Sequence, residues 1–338
     1  MRPQTFLLCL LAFALPAFGQ LPPAQPETGP AGKQYFHAKV DVLGPFQPPA
    51  HANDSWYDYY IYQPADPKPA NAPVVLLTPG YGAWLPDQYR GWIDHMVKMG
   101  YTVVWARADQ TLFAVWQFIP DVEAAWQDAL NRLATGGAFV PPAVDDLGRP
   151  LTGLTGHSLG AWIVPAMASR AGRGLTTYPP PKAVISLTPG QGFMLNENFS
   201  GILPDTKFVM TQADQDQFFC GETIKKIWNA TSQIPNTNRD VLLVQSDSRW
   251  IFKLVADHGY PTGLFPLGGV DNLDYHGVWK LSVGALNCGV YGEDCEYAVG
   301  DGAPAQVQTG KWSDGVAFKP LVWIEDPSQF QMKANCAQ

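Results

Sequence analysis

The chain has 338 residues, of which 46% are hydrophobic, 12% aromatic and 15% charged, and its formal net charge is −8. That much apolar material builds a sizeable core and excludes an intrinsically disordered chain. The acidic balance, with no cluster of Lys and Arg, excludes nucleic acid as an expected partner.

The first element is a targeting segment. Arg2 supplies a positive start, Phe6 to Leu15 is apolar, and Ala17-Phe18-Gly19 fits a small-x-small cleavage site, so residues 1–19 read as a signal peptide. The apolar run is too short to span a bilayer, and residues 20–32 form a Pro-rich polar linker. No integral membrane anchor is expected, and the mature protein is predicted to be secreted or periplasmic. Residues 33–338 read as one α/β domain with a C-terminal extension.

Within that domain, Tyr35 to Leu43 and Tyr57 to Tyr62 alternate as an antiparallel opening pair of strands. Val74 to Leu77 reads as a buried strand ending in Pro79-Gly80-Tyr81-Gly82. Gln88 to Met99 has helical spacing and stops at Gly100; Tyr101 to Ala106 is a strand and Val122 to Leu133 a helix. Leu151 to Thr155 is a strand and Ala161 to Ala168 a buried helix, with Gly156-His157-Ser158-Leu159-Gly160 between them. Further strands are predicted at Ala183 to Leu187, Lys207 to Thr211 and Val241 to Gln245, with a helix at Glu222 to Trp228. A helix at Leu273 to Leu286 precedes a Gly-rich tail. This alternation predicts a mostly parallel central sheet flanked by helices on both faces.

Of five cysteines, Cys9 lies in the apolar leader, which leaves Cys220, Cys288, Cys295 and Cys336. An even set in an exported chain predicts disulfides. Cys288 and Cys295 enclose a Gly-rich, hairpin-like loop, which favours that pair and leaves Cys220 for Cys336. Asn53, Asn198 and Asn229 begin N-glycosylation sequons.

A Gly-x-Ser-x-Gly turn between strand and helix lifts the serine hydroxyl clear of the sheet, so Ser158 is the candidate nucleophile. A serine needs a base to take its proton and a third group to orient that base, and with this turn the chain order is Ser, acid, His. Among six histidines, His37, His51 and His95 come too early, and His157 is part of the turn and expected to point away from the serine. His258, in the loop Asp257-His258-Gly259-Tyr260-Pro261, is the first choice; His276, inside a predicted helix, is the alternate. For the acid, Asp216 is placed ahead of Asp214, because both follow the Lys207 strand and the longer loop reaches further. The N–H groups of Leu159, at a helix start, and Tyr81 are candidate oxyanion donors. Trp84 and Trp162 are candidate pocket residues beside this machinery, with packing in the core as their competing role. No metal or organic cofactor is expected, since no His-x-x-x-His pair or Cys cluster has ligand spacing.

Taken together these residues resemble the α/β-hydrolase superfamily over roughly Tyr57 to Pro261. Thr78-Pro79-Gly80-Tyr81 is similar to the oxyanion loop of the cutinase-like polyester hydrolases and their dienelactone-hydrolase and platelet-activating-factor acetylhydrolase relatives. Gln212-Ala213-Asp214-Gln215-Asp216 resembles the acid loop of that group, with the acid at Asp216, and Asp257 to Pro261 resembles its histidine loop. The resemblance implies an α/β-hydrolase fold and a serine carboxylic-ester hydrolase acting on small, short-chain or polymeric esters. A lipase, thioesterase or amidase would use the same residues, although no long helical lid is read between Pro189 and Asp205. A non-catalytic binding protein of the same fold is the alternative from another class. Neither reading sets an oligomeric state.

Overall fold

The computed structural model describes residues 21–108, 114–190, 197–263 and 269–332. The predicted signal peptide, Cys336 with its expected pairing to Cys220, and part of the segment read as lacking a lid lie outside the described residues. The sheet opens with β1 (Lys39–Phe46) antiparallel to β2 (Tyr59–Ala65), as the alternation predicts. Then come β3 (Val74–Thr78), β4 (Thr102–Ala106), β5 (Thr152–His157), β6 (Ala183–Leu187), β7 (Lys207–Ala213) and β8 (Arg239–Val244). A small hairpin of β9 (Asp247–Arg249) and β10 (Phe252–Leu254) follows, and β11 (Val322–Trp323) returns to the main sheet. The nine-stranded order is β1-β2-β4-β3-β5-β6-β7-β8-β11, parallel from β4 to β8 and antiparallel at both edges.

Successive side chains of a strand face opposite sides of the sheet, so each central strand feeds two cores. On β3, Val75 and Leu77 join one cluster and Val74 and Leu76 the other. That explains why this strand reads as an unbroken apolar run. Helix α1 (Arg90–Lys98) covers the first face with Trp92, Ile93, Met96 and Val97. Helices α2 (Phe118–Ala134), α3 (Leu159–Gly172) and α4 (Glu222–Asn229) cover the second. Pro165 interrupts α3 without breaking it. It has no N–H for the Ala161 carbonyl four residues back, and Ser186 Oγ donates to that carbonyl instead, at 2.7 Å.

Three expectations are corrected. The predicted Leu273 helix begins as a π-helical turn, Asp274–Trp279, before α5 (Lys280–Tyr291) continues it over the first face. The Cys288–Cys295 disulfide is formed, yet Cys288 lies in α5 and Cys295 starts a short helix, Cys295–Ala298. The loop it closes is therefore helix–turn–helix, not hairpin-like. Residues 21–32, read as a linker, are packed down: Ala31 is in the first core, His95 Nε2 donates to the Pro30 carbonyl at 2.7 Å, and the Leu21 amide donates to Ser313 Oγ. Prolines can tie a segment down as well as space it, because they lose little entropy on docking. No helix among the described residues is long and apolar enough to cross a membrane.

Candidate active site

Ser158 is the single residue between the end of β5 and the start of α3, with φ 54° and ψ −114°, a conformation that costs a non-glycine residue energy. The flanking glycines make the turn possible. A Cβ on Gly156 would sit 2.4 Å from the Gly160 carbonyl, and one on Gly160 would sit 2.0 Å from the Thr78 oxygen. Hydrogen bonds hold the strained residue on both sides: its N–H donates to Leu187 O at 3.1 Å, and its carbonyl accepts from Gly190 N at 3.0 Å.

The chain brings three distant side chains together at this turn. His258 Nε2 lies 2.8 Å from Ser158 Oγ, and His258 Nδ1 lies 2.9 Å from Asp216 Oδ2. The carboxylate can only accept, so Nδ1 carries the proton and bare Nε2 accepts from the serine hydroxyl. Asp216 is 3% exposed and accepts from four donors that can be named among the described residues. Oδ2 takes His258 and Gln212 Nε2, and Oδ1 takes the backbone N–H groups of Phe218 and Phe219 at 2.9 and 3.0 Å. The two phenylalanine rings then pack on the His258 imidazole, with centroids 5.3 and 5.0 Å away.

The alternates fall elsewhere. Asp214 accepts from Ser246 Oγ at 2.6 Å and ties the loop after β7 to the loop after β8. His276 is buried in the π-helical turn and contacts neither Ser158 nor Asp216. Trp162 is a core residue at 1% exposure, edge-on to Phe199, so the pocket reading is corrected for it. Helical periodicity explains the outcome: Trp162 lies on the same face as Ala166, one turn on, and that face meets the second core. Trp84 is exposed, edge-on to Trp56 at 5.1 Å. The Arg107 guanidinium lies over both rings and donates to the carbonyls of Trp84 and Trp56 at 2.8 and 3.0 Å. Exposed Tyr81 shares the loop after β3 with Trp84, and Trp56 joins Trp84 from the turn before β2 to make an aromatic shelf.

Leu159 opens α3, so its N–H is among the amides that a helix leaves without an intrahelical acceptor. The loop carrying Tyr81 runs beside the serine, since a Cβ on Gly80 would meet Ser158 Cβ at 3.0 Å. Both candidate oxyanion donors thus belong to backbone that flanks Ser158.

Sequence reasoning missed Gln212, Trp56 and, most consequentially, the role of Tyr89 and His157. Tyr89 Oη accepts from the Gly80 N–H at 3.0 Å and lies 2.8 Å from His157 Nδ1, while His157 Nε2 lies 2.8 Å from the His258 carbonyl. A carbonyl only accepts, so Nε2 carries the hydrogen, Nδ1 is bare, and Tyr89 donates to it. The imidazole stays neutral: burial, then the charge of neighbouring His258, pushes its pKa down to about 3. The only sequence signal was a polar residue at the turn's variable position.

The sequence matches no protein-family model and no functionally characterised protein closely enough to assign a family.

Proposed function

We propose that the protein is an exported serine carboxylic-ester hydrolase of the α/β-hydrolase superfamily. The observation that carries this reading is that His258 spans Ser158 and Asp216 by one hydrogen bond on each side, 2.8 and 2.9 Å. In the proposed cycle Ser158 Oγ attacks the ester carbonyl as His258 Nε2 takes its proton, and Asp216 orients the imidazole and stabilises its charged form. The amides of Tyr81 and Leu159 receive the oxyanion. Collapse expels the alcohol, which leaves with the proton from His258, and water then releases the acid through the same base.

Support for export comes from the Cys288–Cys295 disulfide, a bond that persists in oxidising compartments. Support for small, short-chain or polymeric esters comes from the exposed Tyr81, Trp84 and Trp56, which offer open apolar surface on and against the loop whose Gly80 runs beside the serine. The test is p-nitrophenyl ester hydrolysis, acetate through palmitate, by the protein and its Ser158→Ala, His258→Ala and His276→Ala variants. Short-chain turnover lost with Ser158 and His258 but kept without His276 is expected. Absence of turnover on every chain length would overturn the esterase reading.

A further inference from the structure

We propose that the pocket between the N-terminal segment and the π-helical turn binds a small organic monocarboxylate, with Lys280 as its charged anchor. The pocket has a volume of about 420 Å³ and is walled by residues 23–31 on one side, by the π-to-α junction on another and by residues 304–311 on a third. His276 and Lys280 stand four residues apart on that junction and both line the cavity. A π-helical turn is uncommon and is often retained where a side chain must be aimed at a ligand.

The charge pattern is what selects an anion. The chain carries a net charge of −8, yet no Asp or Glu among the described residues lines this cavity. Lys280 is 3% exposed, and its Nζ donates to the Gln308 carbonyl at 2.7 Å, with no carboxylate partner among the described residues. An ammonium has three donors, and a buried one is costly unless it meets an opposite charge. Burial accordingly lowers Lys280 to about 7, the sign of a cation without a counter-charge. Lys311 adds a second positive group at the exposed rim. Neither ring nitrogen of His276 has a hydrogen-bond partner among the described residues, and Nε2 lies toward Gly310, another wall of the pocket.

The walls select the rest of the ligand. Pro23, Pro26, Pro30, Pro304 and Ala31 supply apolar surface around a single deep cation. That suits a carboxylate with a compact apolar body, such as benzoate or butyrate, over the three-oxygen face of inorganic phosphate. The site shares no residue with the Ser158, His258 and Asp216 group, so it stands or falls without the proposed hydrolysis.

The test is isothermal titration of the protein with benzoate, butyrate and inorganic phosphate at matched ionic strength, using wild type, Lys280→Met, Lys311→Met and His258→Ala. Saturable one-site binding of benzoate or butyrate is expected, weakened at least ~10-fold in Lys280→Met by loss of a charge-assisted hydrogen bond. Lys311→Met, at the exposed rim, is expected to weaken it roughly 3-fold by loss of a partly screened charge, while His258→Ala binds as wild type does. No saturable binding of either acid overturns the proposal, as does an unchanged affinity in Lys280→Met or phosphate binding as tight as benzoate. If Lys280→Met fails to fold, an unchanged affinity in Lys311→Met overturns it instead.

Discussion

His157 and His258 are joined by a single hydrogen bond, from the Nε2 of one ring to the backbone carbonyl of the other residue, at 2.8 Å. Because Tyr89 links His157 back to the Gly80 amide, the serine turn, the loop before the aromatic shelf and the histidine loop share one buried polar chain. The chain ties their relative positions to the rigid α1 helix, which starts immediately after Tyr89.

Tyr89→Phe keeps the ring and removes both hydrogen bonds. If Tyr89 positions the histidine loop, kcat for p-nitrophenyl acetate falls roughly 10-fold, since small displacements of catalytic groups are costly in rate. KM stays near wild type, because Tyr89 is buried and offers no surface to substrate. A variant with wild-type kcat would leave the tyrosine a packing role alone.

His157 also makes a pH prediction. In the unfolded chain it takes up its proton near 6.5, whereas in the fold it stays neutral down to about 3. Between those values the unfolded chain binds the extra proton, so stability is fully present above 6.5 and falls as the pH drops. The slope is about 1.4 kcal/mol per pH unit. His157→Gln lacks this term. Between pH 7 and pH 5, urea unfolding of the wild type is expected to lose ~1–2 kcal/mol more than unfolding of the variant. Equal losses would mean that His157 is protonated in the fold.

The two aspartates of the acid loop separate cleanly. Asp216→Asn is expected to lower kcat by roughly 10³–10⁴-fold, the consequence of presenting the wrong histidine tautomer to the serine. Asp214→Asn, two residues away, is expected to stay within about 3-fold, since among the described residues the Asp214 carboxylate bonds to the Ser246 side chain and not to His258. Comparable losses in both would place the acid elsewhere.

Trp162 and Trp84 are predicted to fail in different ways. Trp162→Ala empties a core site and is expected to cost about 3–5 kcal/mol of stability in denaturant unfolding. Trp84→Ala removes exposed surface, leaves stability within about 1 kcal/mol and raises KM for longer acyl chains. A wild-type KM across the ester series would remove the shelf from the substrate path.

Local chemistry wrote much of this molecule into its sequence. The β-branched and apolar runs at Val74, Thr102 and Ala183 become strands because burial on both faces leaves no room for polar alternation. The serine turn is legible because its two glycines sit where a Cβ would strike backbone, a constraint confined to five residues. The order Ser158, Asp216, His258 was legible too. The choice of Asp216 over Asp214, and of His258 over His276, rested on loop length and on resemblance until contacts 42 and 100 residues apart were in view. Only the tertiary structure made Trp162 a core residue, docked residues 21–32 and joined Tyr89 to His157. The reason is physical: a strand or a tight turn is set by neighbours along the chain. A side chain's partners are set by which segments pack together, and that is decided by the two cores as wholes.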